Sequence, residues 1–180
     1  MLRTMVQHDG GDPDNVTLVD VGFDLIPAIT TGRVDGIIGG FINHEQLILE
    51  KENHPMLSID PAQYGVPDYY ELVLVAGEQA LQDSREDFTK FMNAVRKGQQ
   101  YVEDHPQEAL ATLLSHEDST APLDREIEAE SLQILLPLMD AGSQPFGYQD
   151  PESWRKVAEW LSGNGLLSKE SLSSEAFENL

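Results

Sequence analysis

The run Val34-Asp35-Gly36-Ile37-Ile38-Gly39-Gly40-Phe41 constrains this chain more than any other stretch. It is almost continuously apolar or glycine, the pattern of a strand buried on both faces. Gly39 and Gly40 also leave room for a second backbone or a ligand to come close. Before it, residues 16–21 are β-rich, and Asp24 can cap a helix over residues 25–31, with Pro27 tolerated in the first turn. Gly32 suits the left-handed residue after that helix. Beyond the run, Asn43 can cap a helix carrying Leu47, Ile48 and Leu49, and residues 56–59 form the next short strand. This alternation predicts an α/β fold with a parallel sheet flanked by helices. In open α/β sheets, ligands sit beyond the carboxyl ends of the strands. Gly40, Phe41, Asn43, His44 and Glu45 therefore occupy the place where such a fold keeps its site.

The remainder changes character. Residues 61–70 read as a loop and residues 71–77 as a crossover strand. Ser84 or Asp83 then caps a long helix with Phe88, Phe91, Met92, Val95 and Val102 at helical spacing. Asp104-His105-Pro106 breaks it. A second helix carries Leu110, Leu113 and Leu114, and a third carries Ile127, Leu132, Leu135 and Leu136, shortened or bent at Pro137. Asp150-Pro151-Glu152 opens a last helix with Trp154, Val157, Ala158 and Leu161, which Gly163 and Gly165 end. Residues 1–6 read as the inside of a helix, stopped by the Gly10-Gly11-Asp12-Pro13 turn, so the chain is expected to start partway into a domain. The serine- and glutamate-rich last dozen residues are expected to be loosely held. The predicted division is an α/β lobe over 1–70 and a crossover strand with helices over 71–180.

Composition bounds the chemistry. With 32 acidic and 11 basic residues the formal charge is −21, a surface that repels nucleic acid and anionic membranes. A neutral or cationic small ligand is compatible with it. Cysteine is absent, which removes disulfides, thiolate nucleophiles and cysteine-ligated metals. No apolar run reaches the roughly 18 residues of a membrane helix, and no signal segment opens the chain. Phosphate-loop, dinucleotide, zinc-protease and serine-elbow patterns are all missing. No catalytic residue, metal or cofactor is expected.

Two constellations remain. Glu45 offers two acceptors and Asn43 both a donor and an acceptor, a pair suited to amino groups and ring nitrogens. Spacing alone equally accommodates Asn43 as a helix cap and Glu45 as a first-turn carboxylate favoured by the helix dipole. The second constellation is Tyr64-Gly65-Val66-Pro67-Asp68-Tyr69-Tyr70-Glu71. Its tyrosines offer flat apolar faces with hydroxyls at the edge, and Asp68 adds an acceptor. Neighbours in extended chain point opposite ways, so one of Tyr69 and Tyr70 is expected to pack on the core.

Residues 21–28, Gly32-Arg33-Val34-Asp35-Gly36, Asn43-His44-Glu45, residues 65–75 and Gly147-Tyr148-Gln149-Asp150-Pro151-Glu152-Ser153-Trp154 resemble the substrate-binding proteins of ABC importers that take up thiamine pyrimidine precursors. The same broad family holds pyrimidine synthases and riboflavin, alkanesulfonate and nitrate binders. The resemblance implies a type 2 periplasmic-binding-protein-like fold, with this chain supplying the second lobe and the C-terminal helices of an incomplete first lobe. It implies capture of an aminopyrimidine in an interlobe cleft. Glu45 and Asn43 would bond the ring edge, Tyr69 or Tyr70 would stack, and Asp24 and Asp68 would line the rim. ABC permease subunits are the implied partners of the intact protein, and its place is extracytoplasmic, in the periplasm or as a cell-surface lipoprotein. A homodimer through surface left open by the missing lobe is a further expectation. Ile42 departs from the aromatic that relatives often carry before the asparagine. A synthase would need a pyridoxal phosphate lysine and a sacrificial histidine, and its cysteine-rich stretch has no counterpart here. A sulfonate binder would want more cations than Arg33 near the front site.

Overall fold

The computed structural model describes residues 1–140, 142–168 and 176–180. Part of the serine- and glutamate-rich segment, residues 169–175, lies outside the described residues. The helices are α1 (Leu2–His8), α2 (Leu25–Thr30), α3 (Glu45–Lys51), α4 (Glu78–Asp83), α5 (Arg85–Asp104), α6 (Pro106–Ser115), α7 (Arg125–Leu135) and α8 (Pro151–Gly163), with 3-10 turns at Pro13–Asn15, Pro61–Tyr64 and Leu136–Leu138.

Local chemistry sets most of these ends. Asp24 is the N-cap residue of α2, although its side chain makes no capping bond. That helix closes where the Thr30 and Thr31 hydroxyls donate to the Ile26 and Pro27 carbonyls, and Gly32 follows at φ 69°. His105 separates α5 from α6, with Pro106 at the first helical position. Pro137 has no N–H to donate, and α7 tightens into a 3-10 turn there. Asp150 caps α8 by accepting the Glu152 N–H at 3.0 Å, with Pro151 behind it. Asp150→Ala is expected to cost about 1 kcal/mol, read as a lower urea midpoint at unchanged slope. Two boundaries differ from expectation. His44, not Asn43, is the N-cap residue of α3. An extra helix, α4, precedes Ser84.

The expected strands are the main difference. Among the described residues no strand forms at 16–21, 34–41, 56–59 or 71–77. A strand is a ladder, and a segment with strong β propensity still needs a partner backbone at about 4.8 Å. These segments form no such ladder, and several of their apolar side chains stand open: Leu18 is 75% exposed, Leu57 86% and Val75 89%.

The chain divides into two compact units, residues 1–60 with 101–140, and residues 61–100 with 141–180. In the first, α3 packs on α2 and α7, and α6 packs on α7. Ala28, Leu47, Leu49, Ile127 and Ser131 are its buried residues. Lys51 closes the α3–α7 contact at the surface, donating to Asp124 at 2.6 Å and to Glu126 at 2.9 Å. In the second unit Val66 and Ala158 are buried, and Arg96 Nε donates to the Phe146 carbonyl at 3.1 Å. Gly147 has φ 81°, and a Cβ there would sit 2.8 Å from Met92 Cε. Only glycine fits that turn.

Candidate functional site

Phe41 to Glu45 fold into one local knot at the start of α3. The Phe41 carbonyl accepts from the N–H groups of His44 and Gln46, both at 3.2 Å. Glu45, in the first turn, reaches back so that Oε2 accepts the Phe41 N–H at 2.8 Å. Its other oxygen lies 3.1 Å from His44 Nδ1. A carboxylate has about four lone-pair sites, so each oxygen keeps capacity for another donor. Partial burial pushes the Glu45 carboxyl up, but the Phe41 N–H, the His44 ring and its own backbone N–H outweigh that and hold it below the usual range. The group is an ionised acceptor at neutral pH. Gly40 lies against it: an added Cβ would be 3.2 Å from Ile37 Cδ1 and 3.7 Å from Glu45 Cβ.

Asn43 is tied elsewhere. Its Nδ2 donates to Ser131 Oγ at 3.0 Å. Ser131 is buried on α7, so this bond fixes the loop ahead of α3 to a second helix. Sequence reading missed Ser131. The signal was the spacing Ile127, Ser131, Leu135, which puts a small hydroxyl on the buried stripe of α7. Phe41 and Ile42 are 38% and 47% exposed, so both keep apolar surface open. Asp24 stands exposed ahead of α2.

Asp68, Tyr69 and Tyr70 belong to the second unit, all three exposed. Burial, with the Glu71 charge, pushes the Tyr69 phenol up, so it stays protonated and able to donate. The Tyr70 hydroxyl accepts the Asp150 N–H at 2.9 Å. Its ring lies 6.5 Å from that of Trp154 at a tilt of 39°. Trp154 in turn stacks on Phe177 at 5.4 Å. The expectation that one tyrosine packs on the core is not met: Tyr69 is 42% and Tyr70 38% exposed, and Tyr70 leans on Trp154 at the surface. Neither Trp154 nor Phe177 was singled out as part of a site.

A recess of about 250 Å³ is lined by Ile29, Thr30, Asn53, His54, Pro55 and Met56. A second, of about 270 Å³, lies among Leu47, Glu50, Lys51, Glu126, Ile127 and Glu130. Neither lining includes the candidate residues. No group of acidic or histidine side chains among the described residues could hold a metal ion. No helix among them is long and apolar enough to cross a membrane.

Comparison with known proteins gives three findings. The family pattern described as NMT1/THI5 like matches residues 1–109. A formylaminopyrimidine-binding protein of Halalkalibacterium halodurans is 41% identical over 181 residues, covering 100% of this chain and 55% of the relative. A Haemophilus influenzae protein named "Putative thiamine biosynthesis protein" is 32% identical over 173 residues, covering 94% of this chain and 52% of the relative. The chain thus spans about half the length of the curated relatives it matches.

Proposed function

The chain belongs to the NMT1/THI5-like family, and from that membership we propose that it serves as the substrate-binding component of an ABC importer, capturing an aminopyrimidine thiamine precursor. The family is periplasmic-binding-protein-like. The observation that carries the reading is the identity across the whole chain with a protein named for binding formylaminopyrimidine. The finer fold goes with it: an α/β lobe over residues 1–70, followed by a crossover strand and helices of a first lobe.

The local chemistry supports a nitrogen heterocycle as cargo. Glu45 is an ionised acceptor with lone pairs to spare, matched to an amino group on a pyrimidine ring. Asn43 keeps its carbonyl oxygen and a second amide hydrogen for the ring edge. Tyr69 or Tyr70 offers a face to the ring, and Gly40, Phe41, His44, Asp24 and Asp68 complete the lining and rim. Binding rather than turnover is the proposed act. ABC permease subunits receive the cargo, the protein works outside the cytoplasm, and a second copy of the chain covers exposed apolar segments such as those at Leu18, Leu57 and Val75.

Calorimetric titration with formylaminopyrimidine, riboflavin and taurine tests the reading. Saturable heat is expected with the pyrimidine alone. Binding of riboflavin or taurine in its place would overturn the assignment. An absorbance band on mixing with pyridoxal phosphate would move the chain to the enzyme branch.

A further inference from the structure

We propose that Asn179 is a positioning residue for Tyr70, acting through the backbone at Gln149 and Asp150, just after the turn closed by the Tyr148 N–H on the Pro145 carbonyl. The Asn179 amide holds both edges of Gln149: the Gln149 N–H donates to Asn179 Oδ1 at 2.7 Å, and Asn179 Nδ2 donates to the Gln149 carbonyl at 3.0 Å. One side chain thus reproduces the paired exchange that two strands make. The next residue, Asp150, sends its N–H to the Tyr70 hydroxyl at 2.9 Å. The Gln149 side chain accepts the Trp154 indole N–H at 3.0 Å, and the Trp154 ring faces Tyr70. Gln149 and Asp150 therefore set both the hydroxyl end of Tyr70 and the ring it leans on.

The segment that carries Asn179 is itself held. Phe177 stacks on Trp154 with ring planes 12° apart. Glu178 pairs with Arg85. The Leu180 carbonyl accepts from Arg96 Nη2 at 2.7 Å, and the same guanidinium donates to the carbonyl of Phe146, inside the Pro145–Tyr148 turn. Each residue from 177 to 180 has a partner in the same unit. Met92 also lies close to Gly147 in the preceding turn. A clamp anchored in this way restricts the Gln149–Asp150 backbone, which hands that restriction to Tyr70. Ordering a ring before the ligand arrives lowers the entropic cost of capture. The inference deepens the pyrimidine-binding reading and depends on it only for the part Tyr70 plays in capture.

The test uses the full chain with Asn179→Ala, Asn179→Asp, Tyr70→Phe and the Asn179→Ala/Tyr70→Phe double variant. Without ligand, Asn179→Ala is expected to speed hydrogen exchange at the Gln149 and Asp150 amides on the order of tenfold. Asn179→Asp, which keeps the acceptor for the Gln149 N–H, is expected to restore part of that protection. Unchanged exchange at Asp150 would overturn the coupling. With formylaminopyrimidine, the Kd losses from Asn179→Ala and Tyr70→Phe are expected to be non-additive in the double variant. Additive losses would show that Asn179 acts on something other than Tyr70. Absence of pyrimidine binding by the unsubstituted chain would overturn the ligand reading itself, and the ligand-free exchange result would still decide the coupling.

Discussion

Glu45→Ala is expected to weaken pyrimidine binding by about ten- to hundredfold or more. The substitution removes the ionised acceptor proposed for the ring amino group, and hydrogen bonds to charged groups are worth about 1.5–3 kcal/mol. A single such bond lost therefore weakens Kd on the order of ten- to hundredfold. Alanine also strips the Phe41 N–H of its acceptor and the His44 ring of its partner, so the loop at the start of α3 loosens together with the site. Glu45→Gln separates the two effects, because its amide oxygen still accepts the Phe41 N–H while the charge is gone. The glutamine variant is expected to lose less of the unfolding midpoint than alanine does, and to lose most of the affinity. Unchanged calorimetric affinity in both variants would remove Glu45 from the site.

The same carboxylate gives the sign of the pH dependence. Its folded value lies below the ordinary glutamate value, so it contributes stability above the unfolded pKa. That contribution is lost as pH falls through the lowered folded value. Affinity that depends on the ionised form is expected to stay level through neutral pH and to fall only below the ordinary carboxylate range. A titration showing the loss near pH 7 would point to a different group.

Leu49→Ala carries the largest expected effect on stability. Leu49 is 1% exposed, the most deeply buried large side chain among the described residues. It sits on α3, which packs against both α2 and α7. Truncating a buried leucine costs about 2–5 kcal/mol, more where the neighbours cannot close the cavity. Whole domains are stable by only about 5–15 kcal/mol, so this one change consumes a large share. The urea midpoint is expected to drop steeply, with Leu49→Val falling between. A midpoint shifted by less than that of Asp150→Ala would mean that the α3 contact is not the core of its unit.

These predictions lean on features that were not equally legible beforehand. The helix ends were readable because their causes lie within a few residues. Asp150 and Pro151 start α8, Pro106 starts α6, Pro137 turns α7 into a 3-10 turn, and Gly32 closes α2. Each acts through its own φ angle or a capping bond to a near neighbour. The α3 start was read one residue early because Asn43 is the better capping type, yet its amide is engaged by Ser131, 88 positions away. The segments at 34–41 and 71–77 illustrate a different limit. Their apolar composition says that they are suited to burial, and nothing in a strand's own residues supplies the backbone that pairs with it.

The chain's residues by themselves determined the helix-forming stretches, their caps and breakers, the acidic balance that disfavours nucleic acid, and the family likeness carried by Asn43-His44-Glu45 and residues 65–75. Tertiary structure alone decided that Asn43 ties to α7, that Phe177 stacks on Trp154, and that Asn179 holds Gln149 beside the Asp150–Tyr70 contact. The physical reason is range. A cap or a proline acts on backbone groups it reaches along the chain, whereas the partner of a long-range hydrogen bond is chosen by which elements pack together.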